Sequence, residues 1–357
     1  MNRDKILIIN PGSTSTKIVV FNIETDEKVF ETNISHSVED LAVFERVSDQ
    51  TNYRLETILN CLKDANIETT ELVCVSARGG LVRPIPGGTY GINDAMCKEL
   101  RAVEKEHASN LGALIGMEIM KMEDIPGYIT DPVVVDEMMD IARITGIKDI
   151  KRIAIGHPLN CKAIARKTAK KIGKKYEDAN FIVAHMGGGV TVGMHAKGVV
   201  IDTNNGLNGD GPMSPERAGG LPNSAVMDLV YKSGMSEKEI FKFLVGNGGL
   251  VSHLGINDAR DVEKMIEEGD EYAKLVYEAM AYQVAKEIAA LSASTKGQVD
   301  AIALTGGLAY SEMLTNWIKE RVEFIAPVYI FPGEGEIEAL YEGAKRVTNG
   351  EEEMKVY

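Results

Sequence analysis

The chain has no long apolar run. None of its uninterrupted apolar segments approaches the roughly 18 residues that a membrane-spanning helix needs. The N-terminal stretch "MNRDKILIIN" has no apolar region of signal-peptide type and passes directly into a predicted strand. We therefore expect a cytoplasmic protein that has no membrane partner.

Basic residues are in the minority. The chain has 39 lysines and arginines but 53 aspartates and glutamates, so its net charge is −14. The basic residues do not cluster into a stripe. A protein that binds nucleic acid usually carries a basic patch that neutralises phosphates. We therefore expect no nucleic-acid partner.

Cysteine is scarce and widely spaced. The four cysteines form no CxxC pair, so reduced thiols are favoured over disulfides or a zinc site. They are Cys61, Cys74, Cys97 and Cys161. Cys161 alone lies near a candidate active-site segment.

Two common nucleotide-binding motifs are also missing. The chain contains no GxxxxGK[ST] segment, and no GxGxxG sequence opens a helix. P-loop, Rossmann and protein-kinase folds are therefore disfavoured. Contacts to nucleotide phosphates would have to come from other loops.

One such loop is "NPGSTSTK", residues 10–17, which lies between the apolar runs "ILII" and "IVVF". The β-branched flanks predict two buried strands joined by a hairpin whose tip faces outward. Gly12 permits close backbone approach, and Ser13 and Ser15 are among four hydroxyl donors that suit a phosphate chain. Taken alone, the stretch is slightly more typical of an ordinary polar turn.

The opening pattern returns about 175 residues later, where "FIVAHMGGGVTVGMHAKGVVIDTN" matches "ILIINPGSTSTKIVVFNIETDEKVFETN". The match aligns Asn10 with His185 and Gly12 with Gly187. Each segment predicts strand, turn, strand, turn, strand. The three glycines 187–189 expose backbone N–H groups without side chains in the way, so this is the stronger phosphate loop of the two. A second pair of similar segments is "LVCVSARGG" and "AIALTGGLAYSEML".

The repeat and the length of 357 residues predict two related α/β domains. We place them at residues 1–165 and 166–357, with a C-terminal helix at about 337–357 that could pack back on the first domain. Apolar residues at helical spacing predict helices over 94–107, 161–176 and 272–292. Two such domains facing each other would form a cleft with one glycine-rich hairpin on each wall.

Six segments in order resemble the acetokinase family of carboxylate kinases, within the acetate and sugar kinase, Hsc70 and actin superfamily. They are "NPGSTSTK", "SARGGLVRPIPGGTYGIND", "GHPLN", "AHMGGGVTVG", "GDGPMSPERAGGLP" and "LTGGLAYSEM". The butyrate kinases are the most similar members, since acetate kinases would show NAGSSSLK and GFHGTSH instead of the first and third segments. The resemblance implies the ribonuclease H-like (actin-like ATPase) fold in both domains, with the interdomain cleft. It also implies reversible phosphoryl transfer from ATP to butyrate or a similar short-chain or branched acid, with Mg²⁺. We expect a homodimer or a higher homo-oligomer.

The resemblance assigns the catalytic residues. Arg78 and Arg217 match two active-site arginines, whose planar forks suit carboxylate and phosphoryl oxygens. His157 would follow a short apolar strand and donate a hydrogen bond to the transferred phosphoryl group. Asp131 would orient the substrate or hold magnesium through water. Its nearest rival is Asp136, which otherwise would only start the next helix.

The resemblance also assigns nucleotide and metal contacts. Glu336 matches a magnesium-related glutamate at the start of a helix, although Glu334 and Glu338 are equally close in register. The phosphate and nucleoside contacts would be Asn10, Gly12, Ser13, Ser15, Lys17, His185, Gly187, Gly188, Gly189, Asp258, Arg260, Gly306 and Gly307. Arg83, His36, His107, His195 and His253 are interpreted as structural or surface residues.

Two alternatives stay open at this point. The nearest is an acetate or propionate kinase. A chaperone-like or actin-like ATPase would share the fold, which does not fix the function. Arg78, Arg217 and His157 favour a kinase, because an ATPase needs no anion clamp for a second substrate.

Overall fold

The computed structural model describes residues 3–104, 106–208 and 210–357. Gly209, the first residue of the "GDGPMSPERAGGLP" segment, lies outside them. Within these ranges the strands are β1 (Lys5–Pro11), β2 (Ser15–Asn22), β3 (Lys28–Ser35), β4 (Leu72–Ala77), β5 (Thr89–Gly91), β6 (Gly127–Thr130), β7 (Asn180–Met186), β8 (Val190–Ala196), β9 (Val199–Thr203), β10 (Ala301–Gly306), β11 (Val328–Pro332) and β12 (Lys355–Val356).

The α-helices of the same ranges alternate with these strands. They are α1 (Val38–Leu41), α2 (Thr51–Asp64), α3 (Asp94–Ala102), α4 (Asn110–Glu123), α5 (Asp140–Arg143), α6 (Pro158–Lys171), α7 (Asn223–Lys232), α8 (Glu237–Val245), α9 (Gly249–Leu254), α10 (Ala259–Glu267), α11 (Glu271–Ser292), α12 (Glu312–Val322) and α13 (Glu336–Thr348). Among the described residues, none of these helices is both long and apolar enough to cross a lipid bilayer.

The chain forms two compact units. The first contains Met1–Val135 and Gly335–Tyr357, and the second contains Asp136–Glu334. The first unit has a sheet in the order β12-β5-β6-β4-β1-β2-β3. β1, β2 and β3 are antiparallel neighbours, whereas β1, β4 and β6 run parallel.

The sheet of the second unit repeats this plan in the order β11-β10-β7-β8-β9. β7, β8 and β9 form the antiparallel part, and β10 runs parallel to both β7 and β11. β1 and β4 therefore correspond to β7 and β10. The sequence prediction of two related α/β units of actin-like ATPase type is confirmed.

Helices cover both faces of the first sheet. On one face, Ile58 of α2 and Ile115 of α4 join the core of the sheet. On the other face lies α13, where the Ser76 hydroxyl donates to the Leu340 carbonyl at 2.9 Å. The ring of Tyr341 also stacks on Phe21, with centroids 4.2 Å apart. The C-terminal helix is thus part of the first unit.

The second sheet is covered in the same way. Met280 of α11 and Leu314 of α12 pack with the β7–β8 side chains on one face. Ala165 of α6 packs with Phe181 and Ala303 on the other face. Both sheets are therefore buried on two sides, which explains their continuous β-branched runs.

The division of the chain differs from the predicted boundary at 165/166, because residues 136–165 attach to the second sheet. The Met139 amide donates to the Ile201 carbonyl at 2.9 Å. The Lys162 ammonium forms a buried ion pair with Glu137 at 2.8 Å. These contacts and the packing of α6 assign the segment after Val135 to the second unit.

Two helices end earlier than predicted. α3 stops at Ala102 because Val103 is extended. α6 ends at Lys171, and Gly173 beyond it has a φ of 70°, a left-handed conformation that glycine adopts without strain. The third predicted helix, over 272–292, agrees with α11.

Candidate active site

The β1–β2 hairpin has a tighter tip than its sequence indicates. The ladder continues to the pair Pro11–Thr16, so only Gly12, Ser13 and Thr14 form the turn. The Gly12 amide donates to the Ser15 carbonyl at 2.8 Å and closes the turn. The hydroxyl-bearing tip is therefore a compact, hydrogen-bonded structure.

This turn borders a cavity of about 670 Å³ in the first unit. Of the predicted site residues, the cavity is lined by Asn10, Gly12, Ser13, Ser15, Lys17 and Arg78. Lys17 forms an ion pair with Glu31 of β3 at 2.6 Å, which fixes its ammonium near the turn. His107 also lines the cavity, and burial together with the Arg78 charge lowers the pKa of its imidazole.

Arg78 follows β4 and is held by groups of the first unit. Its backbone amide donates to the Ile9 carbonyl at 2.9 Å. Its guanidinium donates to the Glu336 carboxylate at 2.5 Å and to the Asn10 side-chain carbonyl at 3.4 Å. The Asn10 amide nitrogen also donates to Glu336, at 3.3 Å. Three predicted site residues therefore form one hydrogen-bonded group.

The three candidate glutamates have different surroundings. Glu336 contacts Arg78, as described, and opens α13. Glu338 forms an ion pair with Lys28 at 3.6 Å. Glu334 belongs to the second unit and lies 3.9 Å from the His185 imidazole. Glu336 is thus joined to two other predicted site residues of the first unit.

Asp131 lies directly after β6 and is 1% exposed. Its carboxylate accepts a hydrogen bond from the Gly88 amide at 2.7 Å, and its φ of 40° is unusual for a residue other than glycine. Such a conformation is costly and occurs frequently at functional sites. Asp136 does not start a helix, because α5 begins at Asp140. Asp136 instead forms a two-pronged ion pair with Arg143.

In the second unit, the three glycines join β7 to β8. The Arg217 guanidinium lies across Gly189, in space that a Cβ would occupy. One of its nitrogens donates to the Gly206 carbonyl, and its Nε is buried without a hydrogen-bond partner among the described residues. Burial lowers the pKa of Arg217, but arginine stays charged near neutral pH. A buried cation with an unpaired donor is a candidate anion-binding group.

His157 stands immediately before α6, and its ring stacks on His185, with centroids 4.1 Å apart and planes at 15°. Its Nδ1 lies 3.0 Å from the Thr191 hydroxyl. The Gly206 amide donates to the Ile155 carbonyl at 2.9 Å, so the Arg217 contact and the His157 segment meet at Gly206. The prediction that His157 follows a strand is wrong, because residues 152–156 form no strand and are held by such single hydrogen bonds.

His185 is a neutral imidazole. Burial, followed by the nearby His157, lowers its pKa to about 3. Its Nδ1–H donates to the Asn160 side-chain carbonyl at 3.0 Å, which leaves Nε2 without a proton. The prediction that His185 contacts an ATP phosphate stays a prediction. In this tautomer, such a contact would run through a water molecule.

A second cavity, of about 680 Å³, lies within the second unit. Of the predicted nucleotide residues, it is lined by Gly187, Gly188, Asp258, Arg260 and Gly307. Asp258 caps α10 and holds Arg260 by a two-pronged ion pair, which lowers the pKa of the carboxyl to about 2. Gly306 ends β10 with a φ of 91° and abuts the Met186 backbone, so a side chain there would be strained.

Several side chains at these sites were missed by sequence reasoning. Thr191 and Asn160 belong to quoted segments but were given no role. Glu263 and Ser311 line the second cavity and are hydrogen-bonded to each other. Arg54 borders the first cavity from a helix that no motif marks. Thr191, Asn160 and Ser311 carried a signal, namely their place in quoted segments that contain the histidines and glycines.

The described fold is one that kinases share. A propionate kinase from Francisella tularensis subsp. tularensis SCHU S4 is 20% identical, with a TM-score of 0.74 over 95% of this chain and 98% of that chain. Acetate kinases from Porphyromonas gingivalis and Entamoeba histolytica are each 17% identical, with TM-scores of 0.77 and 0.76 over 96% of this chain and 99% of theirs. At this identity the likeness establishes the fold.

The amino-acid sequence also matches a protein family. Residues 148–325 match the model of the acetokinase family. The matched segment is about half of the chain. It contains His157, the three glycines and Arg217.

Proposed function

We propose that the protein is a carboxylate kinase that transfers the γ-phosphoryl group of ATP reversibly to butyrate or a similar short-chain acid. The observation that carries the proposal is the position of the Arg217 guanidinium across Gly189, beside the His157 segment, in the part of the chain that matches the acetokinase model. The arrangement puts a buried cation at a glycine turn that suits phosphate oxygens.

In the proposed reaction, a carboxylate oxygen bonds to the γ-phosphorus while the bond from that phosphorus to the β,γ-bridging oxygen breaks. The products are an acyl phosphate and ADP. Charge spread over the equatorial phosphoryl oxygens has to be stabilised by fixed donors. Arg217 supplies a guanidinium, and His157 donates from Nε2 when the Thr191 hydroxyl donates to its Nδ1. In the first unit, Arg78 is the other arginine that we assign to an anion, since its planar fork suits carboxylate oxygens.

Carboxylate oxygens fit Mg²⁺, which kinases hold through one or two carboxylates together with substrate phosphates and water. In the first unit, Glu336 and Asp131 would hold the ion. Magnesium would neutralise phosphate charge when bound.

Asn10, Gly12, Ser13, Ser15 and Lys17 are assigned to the ATP phosphates, as are the glycines 187–189. The cavity beside Asp258 and Arg260 is assigned to the nucleoside. Its volume of about 680 Å³ is within the range of small-molecule sites. The polar side chains of Asp258 and Arg260 suit a ribose. Gly307 presents no side chain to the cavity, which suits a flat base.

The alternative acids are acetate and propionate, because the structurally similar kinases are named for them. Acyl phosphate formation, trapped as the hydroxamate, distinguishes the acids when C2 to C5 substrates are compared with ATP and Mg²⁺. Formation with any of them supports a carboxylate kinase, and a rank order led by butyrate supports the narrower proposal. ATP hydrolysis without acyl phosphate would contradict it and favour an ATPase.

A further inference from the structure

Arg54 lies beneath the β1–β2 turn and is 1% exposed. It projects from α2, and its guanidinium donates to the carbonyls of Gly12, Ser13 and Ser15 at 2.8 to 2.9 Å. It also donates to the Gln50 side-chain carbonyl, at 3.1 Å from Nε and 2.8 Å from Nη2. Every nitrogen of the guanidinium is thus hydrogen-bonded, and each acceptor is neutral.

No carboxylate within the described part of the chain forms an ion pair with Arg54. Burial lowers the pKa of this guanidinium, yet an arginine stays charged near neutral pH. An isolated buried charge is costly, so its retention calls for a balancing partner.

The other charged side chains that line the same cavity do not balance it, because each is already paired. Lys17 pairs with Glu31, and Arg78 pairs with Glu336. Glu106, which lines the same cavity, pairs with Arg46 at 3.2 Å. The positive charge of Arg54 is therefore not balanced by these side chains.

His36 adds no negative charge and no second proton. Its Nε2 lies 2.9 Å from the Thr16 hydroxyl, which in turn accepts a hydrogen bond from Arg54 at 3.0 Å. Burial, followed by the Arg54 charge, lowers the pKa of His36. The histidine is thus neutral near pH 7, and the network carries a single positive charge directly under the turn.

We propose that Arg54 is a positioning residue that makes the β1–β2 turn an anion site for the phosphate chain of a nucleoside triphosphate. It occupies the three turn carbonyls as hydrogen-bond acceptors and supplies positive charge next to the turn. The bound phosphate would be the partner that balances the buried charge. The inference rests on the proposed function, which assigns this turn to ATP.

The test changes the charge and keeps the hydrogen bonds. In Gln50→Glu, a carboxylate oxygen replaces the amide oxygen that Arg54 already contacts, so the turn keeps its support while the excess charge is neutralised. The control is Asn60→Asp, which adds the same charge to an exposed position of the same helix. Both variants and the parent are titrated calorimetrically with pyrophosphate and assayed for the KM of ATP and of butyrate.

We expect Gln50→Glu to weaken pyrophosphate binding about tenfold and to raise the KM for ATP by a similar factor. The KM for butyrate should not rise and the melting temperature should not fall. Asn60→Asp should behave like the parent. Unchanged pyrophosphate binding in a folded Gln50→Glu protein would show that the Arg54 charge does not act on the ligand. That result overturns the proposal, as does a parent protein that binds no pyrophosphate.

A second pair of variants separates the Arg54 charge from direct repulsion by the new carboxylate, because Gln50 also lines the cavity. Arg54→Lys keeps the charge and Arg54→Met removes it, and both lose most of the turn contacts. Pyrophosphate binding that survives in the lysine variant alone supports the proposal, and equal loss in both contradicts it. If the parent binds pyrophosphate through this charge yet forms no acyl phosphate, the carboxylate kinase proposal fails and the anion site stands.

Discussion

The imidazole rings of His157 and His185 are stacked face to face, 4.1 Å apart. His185 is neutral because burial and the neighbouring ring lower its pKa to about 3. It therefore gives His157 an uncharged, flat support, and the Thr191 hydroxyl fixes the rotation of the His157 ring. The consequence is a histidine whose donor direction is set before any substrate binds.

Replacing His157 by alanine should lower kcat far more than it raises the KM for ATP, because the proposed hydrogen bond strengthens as charge develops on the phosphoryl group. His157→Gln should restore part of the rate, since an amide can still donate. Steady-state kinetics measure both effects, with His253→Gln at an exposed site as the control. Isolation of a phosphorylated His157 that passes its phosphoryl group to butyrate would replace direct transfer by a two-step route.

Arg78→Lys and Arg217→Lys should each lose about a hundredfold in turnover, or roughly 3 kcal/mol, because an ammonium cannot reproduce a two-pronged contact. Circular dichroism should show that both variants stay folded. Arg101→Lys and Arg321→Lys are matched controls in the two units, and both should keep the parental rate. Near-parental rates in the two test variants would contradict the anion-clamp assignment.

Gly189→Ala should lower the proposed kinase activity through Arg217. The new methyl group would occupy the space in which the guanidinium lies, so the arginine has to move. We expect a loss of turnover comparable to that of Arg217→Lys, with little change in the melting temperature. Gly146→Ala is the control, since a methyl group there meets nothing within 4 Å. Full activity in Gly189→Ala would show that the position of Arg217 is unimportant.

The free energy of unfolding should decrease as the pH falls from about 6.5 towards 3. Burial lowers the pKa of both His185 and His195 to about 3 from the usual 6.5, so the unfolded chain binds more protons in that interval. Each histidine contributes up to about 1.4 kcal/mol per pH unit within it. Urea denaturation at pH 7.5 and 5 measures the difference. It should be smaller in His195→Gln than in the parent or His253→Gln, and an equal difference would refute the assignment.

Butyrate should outrank acetate in kcat/KM by roughly tenfold, since each methylene in an apolar pocket contributes about 0.8 kcal/mol. A competition assay at equal concentrations, read as the ratio of the two hydroxamates, measures this preference. An excess of acetyl product would point to an acetate kinase. An excess of isobutyryl product in a parallel assay would point to a branched-acid enzyme.

The repeat made the fold predictable from the sequence. The matched hairpins at residues 10–17 and 185–191 correspond to β1–β2 and β7–β8, because alternating apolar strands and glycine turns are local patterns. The domain boundary was not predictable in this way. The segment after Val135 belongs to the second unit through the Lys162–Glu137 pair and the packing of α6, which are long-range contacts.

The candidate site was predictable where residues lie in quoted segments, and not elsewhere. Motifs marked His157, Arg217 and Gly189, which the second unit brings together. Arg54 carries no local signal, since on a sequence it is one arginine of an amphipathic helix. Its significance depends on which carbonyls the fold places beside it and on the finding that no described carboxylate forms an ion pair with it.

The discontinuity of the first unit bears on the order in which the protein forms during synthesis. Residues 136–334 leave the ribosome as a complete unit, while residues 1–135 still lack α13 and β12. The first unit is consequently completed after the second, and the face of its sheet that α13 covers lacks this helix until residues 336–348 have emerged. We therefore expect the second unit to complete its fold before the first, in contrast to the usual N-to-C order of domain folding.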